Sequence, residues 1–98
     1  MTSKTDVPKH LRGEGKALWT RLRADYVIDD AGGLTILRTI CEAQDRIAEM
    51  RAVVDKEGAF VADRFGQKKP HPALAVERDS RMTLIAGFRA LRLAPGDE

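Results

Sequence analysis

The stretch DDAGGLTILRTICEAQDRIAEMRAVVDKEG, residues 29–58, decides the fold. Leu37, Ile40, Ile47 and Val54 recur at three- and seven-residue intervals and form one stripe, with Leu34, Cys41 and Ala48 beside it. That period belongs to an amphipathic helix. Asp29 or Asp30 is its expected N-cap, because a carboxylate there accepts from the orphan amides of the first turn and suits the positive helix end. Gly32 and Gly33 weaken that turn by propensity, though they also admit a close neighbouring backbone. Gly58 is a plausible stop. The helix so bounded runs to about Lys56, roughly 26 residues or about 40 Å at the helical rise. Such a rod overreaches a globule of 98 residues, so part of its apolar face is expected to meet another subunit. Gln44 interrupts the stripe in the middle.

On the N-terminal side, Leu18, Trp19 and Leu22 share one side of a helix expected from about Glu14 to Tyr26, with Lys16, Arg21 and Arg23 pointing mostly elsewhere. Trp19, the only tryptophan, is expected in the core or in a subunit contact. Val27 to Asp30 reads as a break. Residues 1–11 read as a flexible basic leader in which Pro8 discourages helix.

On the C-terminal side, Ala59-Phe60-Val61 reads as extended and Asp63 to Gln67 as a turn or hairpin, with a long loop as the alternative. Pro70 and Pro72 hold their preceding residues extended, and Pro72 suits a first helical position. His71 between them is expected to satisfy an exposed helix amide or pack at the turn. A third helix follows, with apolar faces from Leu74, Met82, Leu84, Ile85, Phe88 and Leu91, ending near Leu93. The fold class is therefore mainly α: about three helices including one long central helix, with a short extended or hairpin segment near residues 59–69. Residues 12–95 form one domain and 96–98 a short tail.

Composition narrows the function classes. The chain is 43% hydrophobic and 33% charged, a folded and not a disordered balance. No run is apolar enough to span a bilayer. Met1 to His10 lacks the apolar stretch of a secretory signal. Cys41 is the only cysteine, which excludes an intrachain disulfide and fits a reducing compartment. The formal net charge is +2, unevenly spread: residues 1–23 hold six basic and two acidic side chains, residues 24–58 four and eight, residues 59–98 seven and five. Two basic ends flank an acidic middle, and only the ends suit phosphates. Solvated helices account for the same charges without a partner.

Chemistry is thinly represented. His10, His71 and Cys41 lie far apart and offer no metal-ligand spacing. Ser3, Ser80 and Cys41 lack a local nucleophile signature. Gly13-Glu14-Gly15-Lys16 is a fragment of a phosphate loop without the required spacing or preceding strand, and its glycines read more simply as a hinge into the first helix. No catalytic residue, metal or cofactor is expected.

Four motifs in order carry a family resemblance. Leu18-Trp19-Thr20-Arg21-Leu22 is similar to the opening of the P27-type small terminase subunits of tailed phages. Asp29-Asp30-Ala31-Gly32-Gly33-Leu34, running on to Leu37 and Cys41-Glu42-Ala43, resembles that family's second-helix opening, and Gly58 fits its end. Arg64 to Leu74, containing His71-Pro72-Ala73-Leu74, looks like its linker and third-helix start. Leu91-Arg92-Leu93-Ala94-Pro95 is like its closing stretch, with Arg92 in place of the usual glycine. The resemblance spans roughly residues 11–95.

It implies a phage-encoded, non-secreted protein of the host cytoplasm that performs no chemistry itself. Such subunits assemble into rings, bind double-stranded viral DNA near the packaging start, and recruit or regulate the large terminase subunit, which carries the ATPase and nuclease. On this reading Lys4, Lys9, Arg12, Lys16, Arg21 and Arg23 contact phosphates, with Lys68 and Lys69 as second candidates. Trp19, Leu37, Ile40, Ile47 and Val54 would line the oligomer interface. Only Gly96-Asp97-Glu98 follow Pro95, which leaves the large-subunit contact to another surface. A small dimeric helix-turn-helix-like DNA-binding regulator and a helical adaptor without nucleic acid remain the competing readings.

Overall fold

A computed structural model describes residues 6–93. The chain runs α1 (Gly13–Asp25), α2 (Ala31–Glu57), β1 (Phe60–Ala62), β2 (Lys68–Pro70) and α3 (Pro72–Ala90). It is mainly helical, with a long central helix and a small antiparallel hairpin. Lys4, the rest of residues 1–5, Pro95 and the tail 96–98 lie outside the described residues.

The local signals determine the boundaries of α2. Asp30 is extended at the N-cap, and its carboxylate accepts from the Gly33 N–H at 3.0 Å. At the other end Gly58 adopts φ 89°, a left-handed value that suits glycine, and its N–H reaches the Val54 carbonyl at 2.7 Å. His71 caps α3: Nδ1 accepts from the Ala73 N–H at 2.9 Å, while Nε2 lies 2.8 Å from the Glu57 carboxylate. With Nδ1 accepting, the ring proton sits on Nε2 and is donated to Glu57, which ties the start of α3 to the end of α2.

The third helix closes differently. Leu93 donates to the Phe88 carbonyl at 2.8 Å and Arg92 to the Arg89 carbonyl at 3.0 Å, the paired bonds of a Schellman motif. Arg92 therefore sits at φ 58°, the left-handed position that glycine fills at least cost.

Between the last two helical segments, β1 and β2 pair with Phe60 opposite Pro70, Val61 opposite Lys69 and Ala62 opposite Lys68. Asp63 builds the turn: its Oδ1 accepts from the Phe65 and Gln67 amides at 2.8 and 2.9 Å. The Gln67 amide above all, helped by the Phe65 amide and Lys69, holds the Asp63 carboxyl below its usual range, against the opposing effect of desolvation.

α1 and α3 each pack against α2 and run antiparallel to it. Gly15 meets Cys41 and Asp45 near the middle of α2, so α1 covers only its first half. The remaining segment, residues 46–57, extends about 18 Å further at the helical rise, with the start of α1 reaching only its first residues, Arg46 to Glu49. Gly87 of α3 lies directly on Ile40 and near Ile36. The core holds Leu11, Trp19, Leu22, Ile28, Leu34, Leu37, Ile40 and Cys41, with Leu84, Phe88 and Leu91 packed on it. The result is thin, 52 × 36 × 18 Å.

Two expectations change here. Leu11 is buried and Val7 half-buried against the core, so the leader is packed from residue 7 onward. The α2 stripe does not wait for a neighbouring subunit. Trp19, Leu37, Ile40 and Ile47 are 3%, 0%, 0% and 5% exposed within the single chain, because α1 and α3 sandwich α2. Only Val54, in the overhanging half, stays partly exposed. The large apolar side chains left to solvent are instead Val76, Met82 and Ile85 on α3, Phe60 and Phe65 on the hairpin, and Tyr26 and Val27 between α1 and α2.

Candidate nucleic-acid interface

The site is built on the start of α1, and what fixes that start lies thirty residues away. Arg12 is the N-cap but offers no side-chain cap. Asp45, on the α2 face turned to α1, supplies it instead. One carboxylate oxygen accepts from the Arg12 N–H at 2.6 Å and the other from the Gly15 N–H at 2.6 Å. Asp45 is the one buried charged residue among those described. Two short charge-assisted bonds and the positive end of α1 compensate its burial. Gly15 allows the approach: a Cβ there would lie 2.5 Å from the Cys41 carbonyl oxygen and collide with the Asp45 carboxylate.

Around this buried clamp lie weaker surface ties. Gln44, whose polarity broke the α2 stripe, donates to Glu14 at 2.9 Å. His10 Nε2 lies 2.6 Å from Glu42. Both ends of that pair are about half exposed, so it orients the segment before α1 more than it stabilises it.

With its inner face held by Gly15, Trp19 and Leu22, α1 turns Lys16, Ala17, Thr20, Arg21 and Ala24 to solvent. Its cations are Lys16 and Arg21, its uncharged residues are small, and the exposed carboxylates of Glu14 and Asp25 border it at the two ends of the helix. The Thr20 hydroxyl is turned back to the Lys16 carbonyl at 3.1 Å. Lys9 and Arg12 flank its N-terminal end, both exposed. None of Lys9, Arg12, Lys16 or Arg21 forms an ion pair among the described residues.

The other sequence candidates separate from this face. Arg23 is half-buried, and its guanidinium donates to the Ile28 carbonyl, closing the turn between α1 and α2. Lys68 and Lys69 are exposed on β2, beyond the overhanging half of α2, and do not join the α1 cations. Lys69 is partly neutralised by Asp63 at 3.4 Å. Lys4 lies outside the described residues.

Sequence reasoning passed over three residues, one that builds the start of α1 and two further exposed cations. Asp45 left a trace, a carboxylate in the Leu37–Cys41 row facing a helix whose own start lacked a Ser, Thr, Asp or Asn cap. Arg38 borders the shallow depression formed with Pro8 and Trp19. Arg64 stacks over the Phe65 ring at 5.0 Å, giving the hairpin tip a cation and an aromatic face together.

Other chemistry finds little here. Cys41 is fully buried, and its thiol is pushed up to about 12 by that burial and, less, by the Asp45 and Glu42 carboxylates. A thiol so reluctant to ionise is no nucleophile at neutral pH. Among the described residues no three His, Cys, Asp or Glu side chains converge as a metal site would need. No helix among them is long and apolar enough to cross a membrane. No family model, curated protein or solved structure matches the chain.

Proposed function

We propose that this chain is a small terminase subunit: a non-catalytic, self-assembling protein that binds viral DNA and recruits or regulates a large ATPase/nuclease subunit at the start of packaging. The observation that carries the DNA-binding part is the outer face of α1. Lys16 and Arg21 project from it with only Ala17, Thr20 and Ala24 among them, and Lys9 and Arg12 extend the positive edge. Small side chains between unpaired cations let a helix approach a phosphate backbone closely, and cations without carboxylate partners release counterions on contact. The packaging assignment rests on the four ordered sequence motifs. The left-handed Arg92 agrees with them, since glycine is the family's residue at that position.

Binding to a fluorescent linear duplex, measured against salt, tests the assignment. Affinity should fall steeply with ionic strength, and Lys16→Ala with Arg21→Ala should lower the log–log salt slope by about 2. Duplex binding that is absent at low salt, or a slope untouched by the double variant, overturns the α1 assignment. Light scattering at several concentrations tests self-assembly separately.

A further inference from the structure

We propose that copies of this chain join head to tail, the hairpin tip of one protomer seating Phe65 in the groove between α2 and α3 of the next. The proposal rests on the self-assembly required by the function above and names its surfaces.

A protomer this thin, 52 × 36 × 18 Å, leaves large apolar side chains uncovered. They are not the α2 residues Leu37, Ile40 and Ile47, which are buried within the chain, but Phe60 and Phe65 on the hairpin and Val76, Met82 and Ile85 on α3.

The donor is the hairpin. Phe65 is 74% exposed at its tip and Phe60 62% exposed on β1. Two aromatic rings held out on a three-residue ribbon are poorly used in a monomer. Arg64 over the Phe65 ring makes the tip both aromatic and cationic.

The acceptor is an open groove of about 350 Å³ between α2 and α3. Ala43 and Val76 line it together with the carboxylates of Glu42 and Asp79. Arg46 also lines it, 3.8 Å from Glu49, and both carboxylates have neighbours of their own, Glu42 at 2.6 Å from His10 and Asp79 at 3.5 Å from Arg78, in exposed pairs that hold weakly and can exchange partners. An aromatic ring against the apolar residues with its guanidinium toward the carboxylates matches both features. No hairpin residue lines the groove, so the chain does not fill its own. Donor and acceptor are different patches on one protomer. Contacts of that kind are heterologous and propagate, into a closed ring or an open filament according to the rotation between copies.

Cysteine cross-linking tests the geometry. Cys41 is fully buried and stays out of the reaction. Gln67→Cys beside the tip and Thr83→Cys at the groove leave Phe65, Arg64 and Val76 in place; made in separate chains and mixed under mild oxidation, they should give a covalent dimer that neither gives alone. The double variant should give a ladder up to the full assembly. Phe65→Ser, folded by circular dichroism, should weaken assembly at least tenfold. If the unaltered chain assembles but the pair fails to cross-link, or Phe65→Ser assembles normally, another surface carries the contact, and this inference fails while the function above stands. If the unaltered chain is a monomer at every concentration, both fall, and the α1 salt slope is judged alone.

Discussion

Replacing Gly15 by alanine separates two opposite physical expectations. Helix propensity alone favours the change by about 1 kcal/mol. The packing forbids it. The new Cβ would lie 2.5 Å from the Cys41 carbonyl oxygen, where 3.4 Å begins ordinary contact. That oxygen belongs to the α2 backbone and cannot rotate away, so α1 must retreat by about 0.9 Å. The Asp45 bonds to Arg12 and Gly15, each 2.6 Å, then stretch past hydrogen-bond range. Two charge-assisted bonds at about 1.5–3 kcal/mol each are at stake. Partial relaxation and the propensity gain leave a net loss of about 3 kcal/mol. At the usual unfolding entropy per residue, a chain of this length should melt about 15 °C lower. Gly13→Ala is the control, because its Cβ would meet nothing within 4 Å and should be neutral or mildly stabilising. Urea melts followed by helix signal and by the buried Trp19, at one fixed protein concentration, measure both. A Gly15→Ala chain as stable as the unaltered one would refute the Asp45 clamp.

Arg92→Gly should stabilise the fold by about 1 kcal/mol, because the left-handed Schellman position then carries no Cβ; thermal melts that show no gain argue against that backbone state. Gly87→Ala should destabilise by about 1–3 kcal/mol, since its Cβ would crowd the fully buried Ile40, 2.9 Å from Cδ1. Cys41 has a folded value of about 12 against 9.0 for the free thiol, so its contribution to stability is intact below about pH 9 and declines as pH rises toward 12. The decline should approach 1.4 kcal/mol per pH unit, and Cys41→Ala should remove that part of the slope in denaturation curves taken from pH 8 to 11. The Asp63 carboxyl is held below 3.8, so the hairpin turn should stay ordered above that pH and loosen only as pH falls below it. Amide shifts of Phe65 and Gln67 across an acid titration, compared with Asp63→Asn, read this directly.

The sequence by itself determined the three helices, both ends of α2 and the start of α3. The apolar period of residues 34–54 is a local property, and so are the carboxylate of Asp30, the glycine at 58 and the proline at 72. A cap or a stop acts within one helical turn, so its signal lies within a few residues of its effect. The charges of α1 were equally plain, and so was their freedom to face solvent once Trp19 and Leu22 turned inward.

Tertiary structure decided what those faces meet. Leu37, Ile40 and Ile47 read as one uncovered stripe, but α1 and α3 bury them from two sides. The surface left for another copy therefore moves to the hairpin and α3. Asp45 and Gly15 share a clamp across thirty residues, and Arg23 closes on a carbonyl five residues on. Periodicity gives the direction of a side chain about its own helix axis. The partner it meets depends on where the other helices lie, and that is settled only when their packing excludes water from both faces at once.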